Sequence, residues 1–416
     1  MRPPSPAYRR FTLLFAAGFA AGCLLLLANL LVMRGAGENG TLDAMIERQL
    51  AGHGLYNALG QSLAEYKYAR YRAVRPEVAV LGTSRSFPYR AHFFTRSFYN
   101  LGGLIVSPAQ ALALADRLLL AEKPKLVILN LDYWNFRREL PNEPEPRLRP
   151  FGGHAGLGGV NRLTLALHLL GDGRISWAEA VALASGAIAA DVEGVPRIGL
   201  TAVLRDLGFG PDGSYYNFGA LPALLRQDPS ERSAEIVAGI DAGTYTYGGT
   251  LNRQAMLETH AFVERMRAEG IPVILVAPPV SHAAMAAMRR HPQAFAYVEA
   301  WRRAMSEQFP GIFFDFHDPA TVSLDDREFY DAVHGGEVTY MRMTLAMARA
   351  PDSPLAGIAD EAWLESKIAA HAGTTTVADD PLGRAYNRLL RAEYNRFAVM
   401  ATAHDNTVID PTSTGH

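Results

Sequence analysis

Val78-Ala79-Val80-Leu81-Gly82-Thr83-Ser84-Arg85-Ser86 is the stretch on which the fold turns. A short apolar run, bounded upstream by Pro76, reads as a buried strand. It stops at Gly82 and gives way to hydroxyl residues and an arginine. Gly82 permits a tight turn without a Cβ clash. Such a turn lifts Ser84 onto the carboxyl end of the strand, its hydroxyl towards solvent and its amide free. The complement lies far downstream, in Phe329-Tyr330-Asp331-Ala332-Val333-His334-Gly335-Gly336. An Asp three residues before a His can fold back on the imidazole Nδ1, leaving Nε2 to take a serine proton.

Outward from that stretch, further apolar runs predict strands at 98–101, 126–131, 271–277 and 312–316, alternating with helices at about 107–122, 252–269, 293–308 and 337–348. Continuous apolar strands separated by helices imply a parallel sheet covered on both faces, an α/β fold. The notable polar residues then fall after strands: Ser84 after the first, Gly102 and Gly103 after the second, Asp132, Tyr133 and Asn135 after the third, and Asp331 and His334 beyond the fifth. Ligands of open parallel sheets bind beyond the carboxyl ends of the strands, so one assignment brings these residues to one rim.

The chemistry expected there is acyl transfer. His334 takes the Ser84 proton, Asp331 fixes the tautomer, and Ser84 attacks an ester carbonyl. Backbone N–H groups of Ser84 and Gly102 would hold the oxyanion. Arg85 reads as a bridge from the turn to a carboxylate or helix end, with substrate anions as the other reading. Asp132 reads as support for the site or as a helix cap, and Tyr133 stands beside it; all three are candidate substrate-binding residues. His317 and Asp318, after Asp315, mimic a metal cluster but alternate faces, so neither a metal nor a cofactor is expected.

These residues carry a resemblance. Gly82-Thr83-Ser84-Arg85, Asn100-Leu101-Gly102 and Asp331-Ala332-Val333-His334 resemble the nucleophile, oxyanion-glycine and terminal Asp-x-x-His blocks of the SGNH/GDSL hydrolase superfamily. Thr83 stands where many members have Asp. Asn130-Leu131-Asp132-Tyr133-Trp134-Asn135 departs from the family's Gly-x-Asn-Asp block, whose Asn is an oxyanion donor; the resemblance implies Asn135 as the substitute third donor. The resemblance covers about residues 75–140 and 250–350 and implies a flavodoxin-like, SGNH-type sandwich with a five-stranded parallel sheet. A Gly-x-Ser-x-Gly elbow of the α/β-hydrolase kind is a poorer match, because Ser86 holds the second glycine position.

Ahead of this core, Phe11 to Met33 is almost wholly apolar. About 23 residues at ~1.5 Å rise give roughly 35 Å of helix, enough for a ~30 Å hydrocarbon core. Arg2, Arg9 and Arg10 precede the run, which points to an N-terminus in the cytoplasm and a main domain that is periplasmic or extracellular. A cleaved signal peptide and a lipoprotein site at Ala20-Ala21-Gly22-Cys23 are the competing readings. The domain division expected is 1–33 cytoplasmic N-terminus and transmembrane anchor, 34–74 helical stalk, 75–350 the SGNH-like domain, and 351–416 a helical extension and polar tail. Residues 141–250 form a largely helical insertion, opened by a stiff Pro141–Pro146 linker and built on a hairpin near 163–170 and 178–190 that walls a groove.

An anchor before such a core is similar to the extracytoplasmic branch that includes alginate O-acetyltransferases and the D-alanine transfer proteins of teichoic acids. The resemblance implies O-acylation of an exported polysaccharide or envelope polymer, with a multi-spanning membrane acyltransferase as donor partner. An esterase with the same triad and a non-catalytic carbohydrate-binding protein are the other classes. Hydrophobic content of 49% describes a folded chain, and a net charge of −2 without a basic stripe argues against nucleic acid. The lone Cys23 excludes an intrachain disulfide framework.

Overall fold

A computed structural model describes residues 5–116, 122–137, 158–188, 190–192, 194–224, 226–245, 248–377, 379, 382–384 and 386. The Pro141–Pro146 linker and the polar tail from Asp405 lie outside these residues, as does most of 382–401, whose sequence reads as an amphipathic stretch of the C-terminal extension. The chain opens with α1 (Pro6–Gly35), α2 (Leu42–Gly52), a two-residue strand β1 (Leu55–Tyr56) and α3 (Leu63–Val74). It continues with β2 (Val78–Leu81), β3 (Phe98–Asn100), α4 (Pro108–Leu114) and β4 (Leu126–Asn130). Between β4 and the next long helix come α5 (Gly158–Gly171), α6 (Trp177–Ser185), β5 (Asp191–Val192), β6 (Val195–Ile198), α7 (Leu200–Arg205), β7 (Leu207–Phe209), β8 (Tyr215–Asn217), α8 (Leu221–Leu224) and α9 (Pro229–Asp241). Then follow α10 (Arg253–Ala268), β9 (Val273–Ala277), α11 (His282–Arg290), α12 (Ala296–Gln308), β10 (Phe313–Asp315), α13 (Glu337–Arg349) and α14 (Glu361–His371).

β10, β9, β4, β2 and β3 lie side by side in that order, and every pairing is parallel. Successive side chains of a strand point to opposite faces, so each strand feeds two cores. Ala79, Leu81, Val127, Leu129 and Leu275 face α4, α10 and α12. Val78, Val80, Ile128, Ile274 and Val276 face α13 and α14. This is why the strands read as unbroken apolar runs. From β2 the chain moves outward to β3, whereas from β4 it moves the other way to β9 and β10. The reversal leaves a crevice beyond the carboxyl ends of β2 and β4.

The described residues of the 141–250 insertion are mostly helical, in α5 to α9, as expected, but strands β5 to β8 also lie there and join β1 in a second five-stranded sheet, ordered β5-β6-β1-β7-β8. That sheet corrects another expectation. The 34–74 segment is therefore no simple helical stalk, since its β1 pairs with β6 and β7. These strands are two to four residues long. Alternation cannot register over so few positions, and Pro196 inside β6 reads as a break. The helical hairpin does form, as α5 and α6, but it packs on the end of α1 and on α7. Val32, Met33 and Ala36 meet Ala166, Leu169, Leu183 and Leu200 there, and Asn29 Oδ1 accepts from Ala166 N–H (2.9 Å).

Candidate active site

β2 ends at Gly82, and close packing requires the glycine: a Cβ there would lie 2.9 Å from the Cβ atoms of Asn130 and Ser86. The chain then winds into a short 3₁₀ turn, Ser84–Ser86. Thr83 Oγ1 caps this turn by accepting from Arg85 N–H (3.2 Å), and its hydroxyl donates to Asp132 Oδ2 (2.6 Å). Arg85 is buried, and its guanidinium fastens three neighbours of the turn. It donates to Asp132 Oδ1 (3.1 Å), to the Val333 carbonyl (2.9 Å) and to the Pro279 carbonyl.

The loop before α13 closes on itself, with Tyr330 N–H donating to the His334 carbonyl and Gly336 N–H to the Glu328 carbonyl. Asp331 sits inside it. Its Oδ1 accepts from the amides of Val333 and His334, both at 2.8 Å, and its Oδ2 lies 2.7 Å from His334 Nδ1. Ser281 N–H holds the loop to the end of β9 through the Ala332 carbonyl (2.9 Å). His334 Nε2 then stands 3.0 Å from Ser84 Oγ, across 250 positions of chain. Burial pushes the Asp331 carboxyl up, but the hydrogen bond and charge of His334 and the two amides outweigh it and hold it below the ordinary carboxylate range. An ionised Asp331 accepts the Nδ1 proton, which directs the Nε2 lone pair at Ser84 Oγ.

A cleft of about 480 Å³ opens beside Ser84 Oγ. The triad residues form one side, with Phe87, Pro88, Tyr215, Asn217, Leu224 and Tyr330 around it. Tyr215 stacks on Phe87, ring centroids 5.1 Å apart. The insertion thus walls the groove, as expected, but through β8 and α8 rather than through the helical hairpin. Its approach is fixed at the tip of the β7–β8 hairpin, where Asn100 N–H donates to the Asp212 carbonyl (2.8 Å). Buried Lys67 on α3 clamps the same junction, donating to the carbonyls of Asn100 (3.1 Å), Gly213 (3.0 Å) and Gly102. Nearby, Arg90 pairs with Glu337 and donates to the Tyr215 carbonyl (2.9 Å).

Ser84, Asp331 and His334 are therefore brought together, and the other expected site residues fall differently. The Gly102 N–H is already given to Asn100 Oδ1 (2.8 Å), so it is not an oxyanion donor here. The glycine serves close packing instead, because a Cβ would sit 2.3 Å from Ser86 Oγ. Asn135 is buried in the 3₁₀ turn Tyr133–Phe136 and does not line the cleft. Arg85, Asp132 and Tyr133 are buried beneath the rim and are not substrate-binding surface. Burial raises the Asp132 carboxyl, against the pull of Arg85 and the Thr83 hydroxyl. The Ser84 amide has no intrachain acceptor among the described residues.

Sequence reasoning missed Lys67, Asn217 and Tyr330. Lys67 stands between Tyr66 and Tyr68 on a helix and carries no sign of burial. Asn217 has no local signal either, and Tyr330 was marked only by adjacency to Asp331. Among the described residues no cluster of His, Cys, Asp or Glu is arranged to hold a metal. No family model matches the chain, and no curated protein or solved structure matches it significantly.

Proposed function

We propose that this chain is an extracytoplasmic serine acyltransferase of SGNH type, anchored by α1, that moves an acyl group from an ester donor to a hydroxyl of an exported polymer through an acyl-Ser84 intermediate. The observation that carries the reading is the continuous relay from Asp331 Oδ2 to His334 Nδ1 (2.7 Å) and from His334 Nε2 to Ser84 Oγ (3.0 Å). The order of the central strands supports it, being the 2-1-3-4-5 arrangement of flavodoxin-like sheets when counted along the chain. α1 is long and apolar enough to span a membrane.

In the first half-reaction the Ser84 proton passes to His334 Nε2 as Oγ attacks the donor carbonyl. The Ser84 N–H is the donor available to the oxyanion. Collapse expels the donor alkoxide, which takes the proton from His334. In the second half-reaction an acceptor hydroxyl gives its proton to His334 and attacks the acyl-serine carbonyl; collapse breaks the Oγ–acyl bond, and Ser84 Oγ takes the proton back from His334 Nε2. An esterase uses the same residues with water as acceptor. The aromatic-walled cleft beside Ser84 favours transfer, because it offers an organic acceptor a surface of Phe87 and Tyr215 against which to align.

A serine-directed fluorophosphonate is expected to label the wild type and not Ser84→Ala. Labelling of both, or of neither, would sink the catalytic reading and leave a binding protein. Incubation with an acetyl-ester donor, with and without an oligosaccharide acceptor, then separates the two enzyme classes. Free acetate as the sole product under both conditions would assign hydrolysis.

A further inference from the structure

The α5–α6 hairpin has an apolar outer face that the catalytic cleft does not use. Outside α1, the large apolar side chains left exposed among the described residues are Leu50, Leu163, Trp177, Val181 and Leu257. Three of these five lie on this hairpin, with Trp177 at 72%, Val181 at 65% and Leu163 at 46% exposure. Trp177 and Val181 are four residues apart on α6 and so share a face. The opposite face of α6 turns Ala180 and Leu183 into the contact with α1. Glu179 is turned to Arg205 of α7.

The position of the hairpin says what meets that face. α6 packs so tightly on α1 that a Cβ at Gly35 would lie 2.1 Å from the Leu183 carbonyl oxygen. The contact reaches down into the apolar run of α1. Leu26, Leu30 and Leu31 are 39%, 42% and 41% exposed, against 70% and 75% for Leu13 and Leu14. The run from Phe11 to Met33 is roughly 35 Å long and outlasts a ~30 Å hydrocarbon core, so its last turns stand at headgroup level. That is the depth at which tryptophan is enriched.

We infer that the outer face of the α5–α6 hairpin, Leu163, Trp177 and Val181, seats in the interface of the same bilayer that α1 crosses. The occupant is lipid, because the hairpin that carries the face packs on the end of the helix that crosses the bilayer. The hairpin acts as a collar that fixes how the globular part stands over the membrane. The inference rests on α1 spanning the membrane and is independent of acyl transfer.

The test uses the full chain in phosphatidylcholine nanodiscs whose acyl chains are brominated. α1 contains no tryptophan; the four in the chain are Trp134, Trp177, Trp301 and Trp363. Relative to unbrominated discs, the wild type is expected to lose emission, Trp177→Phe to lose none, and Trp177→Phe with Val181→Trp to regain the loss. Equal quenching of wild type and Trp177→Phe would overturn the proposal. So would an unquenched wild type that remains in the discs, which would make the face a protein-docking surface instead. A chain that does not enter the discs removes the premise and the proposal with it.

Discussion

At the scale of single residues, three groups make the site and two hold it in place. Asp331 acts on Ser84 only through His334, so Asp331→Asn keeps the shape of the loop while losing the anionic acceptor for the Nδ1 proton. Its turnover is expected to fall about 10³–10⁴-fold, read as the rate of acetyl-ester cleavage, with little change in KM. The same substitution has a stability signature. The folded Asp331 carboxyl lies below its ordinary value, so its stabilising contribution is complete above the unfolded carboxylate range, about pH 4, and is lost as pH falls through that range to the folded value. The melting temperatures of wild type and Asp331→Asn should therefore converge as the pH is lowered from neutral. A gap that stays constant would mean that the carboxylate is not held by its partners. Beneath the rim, Asp132 and Arg85 form an ion pair with both side chains 1% exposed. Asp132→Ala leaves a buried guanidinium without its counter-ion and the Thr83 hydroxyl without its acceptor. A loss of about 3–5 kcal/mol is expected in a urea titration, and an unchanged midpoint would refute the assignment of Asp132 as a positioning residue.

At the scale of elements, the decisive join is between the tip of the β7–β8 hairpin and the edge strand β3. Gly213 has φ +79°, a conformation that favours glycine, and a Cβ there would lie 2.4 Å from the Asn100 carbonyl oxygen. Gly213→Ala meets both obstacles and should cost about 1–3 kcal/mol for the backbone alone. The substitution moves the hairpin off β3, and with it Tyr215 and Asn217 on the cleft wall, while the turn that holds Ser84 is untouched. The small fluorophosphonate should label Gly213→Ala at the wild-type rate, whereas KM for an oligosaccharide acceptor should rise several-fold. Loss of both together would place the hairpin in the nucleophile's own support. This join also marks the limit of what the sequence could disclose. The five parallel strands were legible because each is buried on both faces and reads as an apolar run; 78–81 came out with its observed ends, and 98–101, 126–131 and 312–316 within a residue or so of theirs. β1, β6, β7 and β8 were not legible, because each is too short to show alternation and the sheet is joined only through distant pairings, Leu55 with Arg197 and Tyr56 with Phe209. Of the site, Ser84, Asp331 and His334 could be read because a hydroxyl after a strand and a close-spaced Asp and His carry local signals. Gly102 was given the wrong reason for being glycine, since the Asn100 side chain that occupies its amide could not be oriented without the fold.

At the scale of the whole molecule, the membrane-proximal part depends on α1 for its core as well as for its anchor. Val32, Met33 and Ala36 are buried against α5, α6 and α7, and Asn29 holds the Ala166 amide. Glu38, just after the helix, accepts from the amides of Leu59, Gly60 and Leu200. Two shortened chains separate these contributions: one begins at Ala28 and keeps all of them, and one begins at Gly37 and keeps only Glu38. Burying Val32 and Met33 is worth about 1.5–3 kcal/mol each, so the second chain should be weaker by about 3–6 kcal/mol in the hairpin region. The central sheet shares none of these contacts, and its two cores are built from other residues. The loss should therefore be local. Amide exchange across residues 163–185 is expected to quicken in the chain that begins at Gly37, while exchange in β2, β4 and β9 stays as it is in the longer chain. Equal protection of the hairpin in the two chains would show that α5 and α6 hold together without α1. Slower and faster exchange spread evenly over both regions would show that the hairpin and the sheet unfold as one unit.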